Sequence, residues 1–308
     1  MAVDTSQPID PFLALDRSGV LIMRQPMDHL SGAYLPANPT DGSPPGVLIN
    51  ASHPLSRQRY TAAHELWHHR RDHDLVFDAE TEWIARGEGE KPERERLAEA
   101  FASWFLMPRR LVDTTIEMLG MTPERLDPQG IYALSLELGT SYTATVRHVY
   151  GLRLISQPLR DRFLRTTPQT IKQALGASDA VTDAWKDIRL VGPIERARAV
   201  DAIEGDALVV DVPEIPSSGY LWRATSIPDI LDLIRDEYMS AAPDVLGSNG
   251  VHRFVFRVLG TGHRPMRLEL GRPWQQGKTV ESRDVDVIAK SSPAPGIVFP
   301  SSLVRAVA

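Results

Sequence analysis

The sequence of 308 residues contains no cysteine. This absence excludes disulfide bonds, thiolate metal ligands and a cysteine nucleophile. A metal ion bound by this chain must therefore take its ligands from nitrogen and oxygen atoms, chiefly those of histidine and carboxylate side chains.

Long apolar runs are also missing, because no stretch reaches the ~18 residues that a membrane helix requires. Residues 1–11 include Asp4 and Asp10, and they lack the basic and apolar blocks of a secretory signal peptide. We therefore expect a cytoplasmic protein that has no membrane partner.

The chain has no excess of positive charge, since 34 basic residues face 40 acidic residues and the formal net charge is −6. Proteins that bind nucleic acids usually concentrate basic residues on one surface, and the overall charge gives no such indication. We therefore expect no nucleic-acid partner.

Residues 132–152 have the outline of a helix-turn-helix motif, with a glycine turn at Gly139 between two helical stretches. The second stretch contains only Arg147 and His148, with Arg153 just beyond it. These are too few positively charged side chains to bind a phosphate backbone strongly. We expect these helices to pack within the domain rather than to contact DNA.

What the chain does contain is an ordinary globular composition, with 42% hydrophobic and 24% charged residues. Its length is typical of about two domains. The first part mixes strands and helices. Three short strands are predicted at 19–24, 32–35 and 46–50. Helical patterns follow from residue 56 to about residue 185.

After Trp185 the pattern changes to strands separated by proline and glycine turns, with partly alternating apolar residues at 252–258 and 266–270. This segment, about 188–290, has the size of a small β-sandwich. Residues 291–296 (SSPAPG) are typical of a linker, and no role follows from the short apolar tail behind them.

The strongest motif is His64-Glu65-Leu66-Trp67-His68. Residues four apart on a helix lie on one face, where two imidazoles can bind one Zn²⁺. A carboxylate beside that face can take a proton from water that the metal activates, which is the logic of HExxH metallopeptidases. With nine histidines in the chain, a chance match has an expectation of only about 0.02.

A catalytic zinc site needs a third protein ligand, and we expect it from a second helix. Glu95 and Glu99 lie one helical turn apart in the next helical stretch, with Ala98 and Ala102 on the same stripe. Small residues allow two helices to approach closely, so either glutamate could reach the metal.

These two segments carry a resemblance to a known family. Residues 59–68 (RYTAAHELWH) and 95–108 (ERLAEAFASWFLMP) resemble the ImmA/IrrE-type zinc metallopeptidases, and the strand 46–50 fits the same pattern. The resemblance extends over about residues 8–155 and implies a zincin-like α+β fold. It further implies zinc ligands at His64, His68 and Glu95, and a catalytic base at Glu65.

Three positions depart from the family pattern. Trp67 stands where glycine is usual, Glu99 where asparagine is usual, and Phe105 where leucine is usual. The glutamate at position 99 keeps it open as an alternative ligand to Glu95.

A second resemblance lies in the C-terminal third. Residues 215–222 (IPSSGYLW), 246–250 (LGSNG) and 272–274 (RPW) resemble the three loops of chagasin-type inhibitors of cysteine peptidases, which implies an immunoglobulin-like sandwich. Ile215, Ser217, Ser218 and Asn249 depart from the family's loop residues. We expect Trp222 to be a core residue, and the candidate partner-binding residues are Pro216, Ser217, Ser218, Gly219 and Trp274.

The sequence thus predicts a metallopeptidase domain at 8–165, a helical connector at 166–187, a chagasin-like sandwich at 188–290 and a tail at 291–308. We expect a zinc endopeptidase that makes limited cuts in a regulatory protein, with a DNA-binding repressor as one candidate substrate. The sandwich would recognise proteins, and a substrate strand would pair with an exposed sheet edge near 46–50. The alternative is a protein-binding or cysteine-peptidase-inhibitor module on a non-catalytic, metal-bound scaffold.

Overall fold

A computed structural model describes most of the chain: residues 8–40, 42–71, 76–78, 92–181, 183, 185–191, 199–241, 248–275 and 277–301. The chain divides into two compact units. Unit 1 consists of Met1–Arg165 together with Pro293–Ala308, and unit 2 consists of Thr166–Ser292.

Unit 1 combines helices with one sheet. Its described helices are α1 (Pro11–Arg17), α2 (Leu55–Arg71), α3 (Glu93–Leu106), α4 (Arg109–Met118), α5 (Pro128–Leu138), α6 (Tyr142–Gly151) and α7 (Gln157–Arg165). Its described strands are β1 (Leu21–Gln25), β2 (Gly32–Leu35), β3 (Gly46–Asn50), β4 (Val76–Asp78) and β13 (Gly296–Val298).

Several helix ends have clear local causes. Asp10, Asp127 and Ser141 each accept hydrogen bonds from backbone amides in the first turn of the helix that follows. Gly139 ends α5 in the left-handed conformation, with φ of 65°, which glycine adopts without steric cost. The helix, glycine turn and helix expected around residue 139 are therefore present as α5 and α6.

Helix α6 packs into unit 1 through one side. Tyr142, Val146 and Val149 are buried, and the Tyr142 hydroxyl donates to the carbonyl of Phe163. Nε2 of the buried His148 ring lies 2.7 Å from the carbonyl oxygen of Met107. These contacts agree with the packing role that we expected for this helix.

The strand order in the sheet of unit 1 is β13-β1-β3-β2-β4. Strand β3 pairs with β1 in parallel and with β2 in antiparallel orientation. The expected exposed edge at Gly46–Asn50 is therefore wrong, because both sides of this strand are already hydrogen-bonded. Its almost wholly apolar sequence is the reason: such a strand is typical of the middle of a sheet.

The tail behind the sandwich has a structural role that its sequence did not reveal. Strand β13 pairs with β1 in antiparallel orientation, with Ile22 opposite Val298 and Arg24 opposite Gly296. Beyond it, the backbone amide of Ser301 donates to a carboxylate oxygen of Asp16 at 2.7 Å. The chain thus returns to unit 1 after completing unit 2.

Unit 2 begins with helix α8 (Pro168–Ala174) and continues as strands. They are β5 (Ile188–Val191), β6 (Ala199–Ile203), β7 (Ala207–Glu214), β8 (Leu221–Ser226), β9 (Leu231–Ser240), β10 (Gly250–Val258), β11 (Gly262–Gly271) and β12 (Thr279–Lys290). They form two four-stranded sheets of order β5-β7-β10-β9 and β6-β12-β11-β8. The expected β-sandwich is therefore confirmed.

The core of unit 2 lies between its two sheets and includes Trp222, Phe254 and Phe256. Trp222 is 2% exposed, as expected for a core residue. Arginine side chains on β10 also hydrogen-bond to the segment after α8. Arg253 donates to the carbonyl of Leu175, and Arg257 donates to the carbonyl of Ala180.

None of the helices in the described ranges is long and apolar enough to cross a membrane.

Candidate metal centre and binding loops

The HExxH motif lies on α2, which packs against α3. His64, Glu65 and His68 are buried on α2, and Glu95 is buried in the first turn of α3. Ala98 and Ala102 are fully buried on α3, so the small-residue stripe expected from the sequence is present. It lets the two helices approach closely enough for a carboxylate from α3 to reach the histidines.

Three side chains converge at this helix crossing. Nε2 of His64 lies 3.2 Å from Oε2 of Glu95 and 3.1 Å from Nε2 of His68, and Nε2 of His68 lies 3.6 Å from the same carboxylate oxygen. Among the described residues, His64, His68 and Glu95 are the one group with the geometry of a metal site.

The donor set fits a zinc ion. Two ligands at 2.0–2.1 Å from a tetrahedral ion are about 3.3–3.4 Å apart, and the observed spacings of 3.1–3.6 Å bracket that value. Two imidazole nitrogens and one carboxylate oxygen are also ligands that zinc accepts, with one position left for water or substrate.

The electrostatics favour an ionised carboxylate at position 95. Burial by itself raises the pKa of Glu95, but hydrogen bonds and charges from His64 and His68 hold that pKa well below its ordinary range. Nε of Arg94 lies 3.4 Å from Oε1 of Glu95 and adds attraction on the other oxygen. A deprotonated carboxylate is the form that coordinates a metal.

Glu65 is fully buried beside the metal-site face of α2. Its Oε1 lies close to Gly32 on β2: a Cβ atom added to Gly32 would be 3.2 Å from this oxygen and 2.3 Å from Cγ2 of Thr61. Helix α2 can lie this near the sheet only because position 32 has no side chain. The role of Gly32 has no signature in the sequence, since a glycine at the start of a strand gives no local signal of close packing.

Glu99, the alternative ligand, is half-buried and lies outside this group of three. The structure therefore brings Glu95 rather than Glu99 to the histidines.

Trp67 stands where the peptidases that the motif resembles have glycine. Its ring centroid lies 5.4 Å from that of Phe101.

The loops of unit 2 also converge. Residues Pro216–Ser218 form a short 3-10 turn, and Gly219 follows with φ of 76°. A Cβ atom on Gly219 would lie 3.0 Å from the ring of Trp274, which is 68% exposed. The guanidinium of Arg272 lies 4.6 Å from the centre of the Tyr220 ring.

Two of the three predicted loops thus form one surface in which Trp274 covers Gly219. The remaining predicted loop is 246–250, and its first two residues, 246 and 247, lie outside the described residues. Ser248 and Asn249 directly precede β10.

Comparisons with known proteins bear on both segments. Residues 15–126 match the family model of the IrrE N-terminal-like domain, and residues 201–287 match that of the chagasin family peptidase inhibitor I42. The radiation response metalloprotease IrrE of Deinococcus deserti is 33% identical over 112 residues, which cover 35% of this chain and 36% of the relative. The chain thus matches only about a third of that relative's length.

Among solved structures, the cysteine protease inhibitor EhICP2 from Entamoeba histolytica is similar at 21% identity, covering 34% of this chain and 97% of that chain with a TM-score of 0.31. Amebosin is similar at 19% identity, covering 34% of this chain and 98% of that chain with a TM-score of 0.29. The family-model matches confirm both resemblances: the N-terminal segment resembles IrrE-like metallopeptidases, and the C-terminal segment resembles chagasin-type inhibitors.

Proposed function

We propose that this chain is a zinc-dependent endopeptidase of the HExxH type. The observation that carries the proposal is the buried convergence of His64, His68 and Glu95 at the crossing of α2 and α3. Similarity to a metallopeptidase family over residues 15–126 supports it independently. We further propose a zincin-like arrangement for unit 1, an immunoglobulin-like arrangement for unit 2 and a cytoplasmic location.

In this proposal His64, His68 and Glu95 hold the metal. When bound, Zn²⁺ supplies a Lewis acid that polarises a carbonyl group and lowers the pKa of water. The Glu65 carboxylate acts as general base: it takes the proton that water releases on attacking the peptide carbonyl, and then delivers it to the leaving amine. Its burial against Gly32 restricts the space in which this carboxylate can move.

We propose that the substrate is a regulatory protein cut at few positions, with a DNA-binding repressor as the first candidate. The sandwich would serve recognition through the surface formed by Pro216, Ser217, Ser218, Gly219 and Trp274. An exposed tryptophan held over a glycine is a rigid apolar anchor of the kind that dominates protein interfaces.

The ligand set is tested by the zinc content of purified variants. Glu95→Ala should lose most of the bound zinc, whereas the matched variant Glu99→Ala, one helical turn away, should retain it. Elemental analysis of both proteins after equal purification gives the answer. Full zinc retention in Glu95→Ala combined with loss in Glu99→Ala would move the third ligand to position 99.

The catalytic role of Glu65 is tested by Glu65→Gln, which preserves the size of the side chain. This variant should keep the zinc of the wild type and lose cleavage of a co-expressed repressor-like protein, preferably one encoded next to this chain's gene. Cleavage by Glu65→Gln at the wild-type rate would contradict the assignment of the base.

The second candidate function is capture of another protein by the sandwich, without catalysis. The exposed Trp274 and the match to chagasin-type inhibitors over residues 201–287 favour it. Potent inhibition of papain by the full chain, retained in Glu65→Gln and lost in Trp274→Ala, would support this alternative.

A further inference from the structure

Three neighbouring strands of unit 2 bring two carboxylates and one histidine together. Nδ1 of His252 on β10 lies 3.0 Å from Oε2 of Glu214 on β7, and its Nε2 lies 2.5 Å from Oδ1 of Asp236 on β9. Glu214 is 3% and His252 8% exposed, whereas the Asp236 side chain is 44% exposed. We call Glu214, His252 and Asp236 the carboxylate–histidine cluster.

The ring of His252 lies between the two carboxylates, so each of its nitrogens has a carboxylate oxygen within hydrogen-bond distance. A carboxylate as deeply buried as Glu214 needs such partners, because a buried polar group without hydrogen bonds is destabilising. The ring stacks on Phe254 at 4.6 Å between centroids, which fixes its plane.

Glu214 connects this cluster to the recognition loop. It is the last residue of β7, directly before Ile215, and its Oε2 also accepts a hydrogen bond of 2.6 Å from the backbone amide of Trp222. The indole Nε1 of Trp222 donates to the carbonyl of Pro213 at 3.0 Å. Both ends of the loop 215–221 are thus joined through one carboxylate.

We propose that His252 is a positioning residue for the loop 215–221: its hydrogen bond holds Glu214 in place, and Glu214 closes the base of the loop beneath the predicted partner-binding surface. The inference rests on the proposed recognition role of the sandwich for its functional meaning. Its test needs no partner, so failure to find a partner and failure of this cluster give different results.

The test is amide hydrogen exchange in His252→Gln, with His263→Gln as the matched control. His263 also faces a carboxylate, Asp286 at 3.7 Å, but its side chain is 63% exposed. In His252→Gln the amides of the loop 215–221 and of Trp222 should exchange about tenfold faster or more, with strands β11 and β12 unchanged. In His263→Gln the loop should exchange at the wild-type rate.

Unchanged exchange at Trp222 and in the loop of His252→Gln would overturn the proposal. If that variant fails to fold, Glu214→Gln replaces it, because the amide oxygen can still accept from Trp222 while the charge is lost. Loop exchange in Glu214→Gln close to that of the wild type would equally contradict a role for Glu214 and His252, and accelerated exchange confined to the loop would support it.

Discussion

At the scale of single residues, unit 1 depends on Gly32, a position that has no room for a side chain. Gly32 lies where a Cβ atom would meet Thr61 at 2.3 Å, the carbonyl oxygen of Leu48 at 2.9 Å and Glu65 at 3.2 Å. Backbone and buried side chains surround this point, so a clash cannot be relieved by rotating an exposed group. Position 32 therefore limits how closely Thr61 and Glu65 on α2 approach the sheet.

Gly32→Ala should destabilise unit 1 by about 1–3 kcal/mol, the usual cost of inserting a methyl group into a packed interior. It should also lower peptidase activity more than zinc content, because the shift moves Glu65 directly. Urea unfolding and elemental analysis measure the two effects. Gly151→Ala is the matched control, since no atom lies within 4 Å of a Cβ atom there. Equal stability of the two variants would contradict this explanation of Gly32.

At the scale of elements, the helix that carries Glu95 is held at its far end by α6. His148 on α6 forms a hydrogen bond with the carbonyl of Met107, the residue directly after α3. Its ring packs edge-on against that of Trp104, with 5.0 Å between the ring centroids. Because Met107 accepts this bond, Nε2 carries the proton in the neutral ring. Burial lowers the pKa of His148 below the value of an exposed histidine, and the hydrogen bond to Met107 offsets only part of this.

This lowered pKa gives a stability effect with a definite sign. The neutral ring is favoured in the folded state, so the contribution of His148 is fully present above the unfolded pKa of about 6.5 and is lost as the pH falls through the lower folded pKa. Unfolding of unit 1 by urea at a series of pH values from about 8 to 5 should therefore show weakening toward acid. In His148→Gln, which can still donate to Met107, the dependence should be smaller. An identical pH dependence in both proteins would show that His148 does not contribute.

At the scale of the whole molecule, the chain leaves unit 1 after Arg165, builds unit 2 and returns through Pro293–Ala308. Strand β13 covers the side of β1 that faces away from β3. An uncovered strand edge carries unpaired amides and carbonyls and invites pairing with other chains. The tail, which follows the sandwich in the chain, thus supplies an outer strand of the sheet of unit 1.

Deleting residues 293–308 should lower the stability of unit 1 by roughly 1–3 kcal/mol, from lost strand pairing and the lost hydrogen bonds to Asp16, and should promote association. Thermal unfolding and light scattering measure these effects. The control is deletion of 302–308, which leaves β13 and the bonds from Ser301 to Asp16 in place. If both deletions behave like the wild type, the tail is not part of the stable fold.

Short patterns in the sequence were enough to predict a helical metallopeptidase-like segment followed by a β-sandwich. Four-residue spacing places His64 and His68 on one helical face whatever surrounds the helix, and the motifs behind both resemblances overlap the segments that the family models match. It did not predict strands such as Leu231–Ser240 and Thr279–Lys290, because their many charged residues hide the alternation and pairing partners are distant in sequence.

The choice between the two glutamates depends on how the helices pack. Glu95 and Glu99 are separated by about 40° around the helix axis, so periodicity cannot choose between them; the crossing of α2 and α3 does. The same holds for the central position of β3, the return of the tail to β1 and the bridging of Glu214 and Asp236 by His252. Each of these depends on contacts between segments far apart in the chain, which local patterns do not encode.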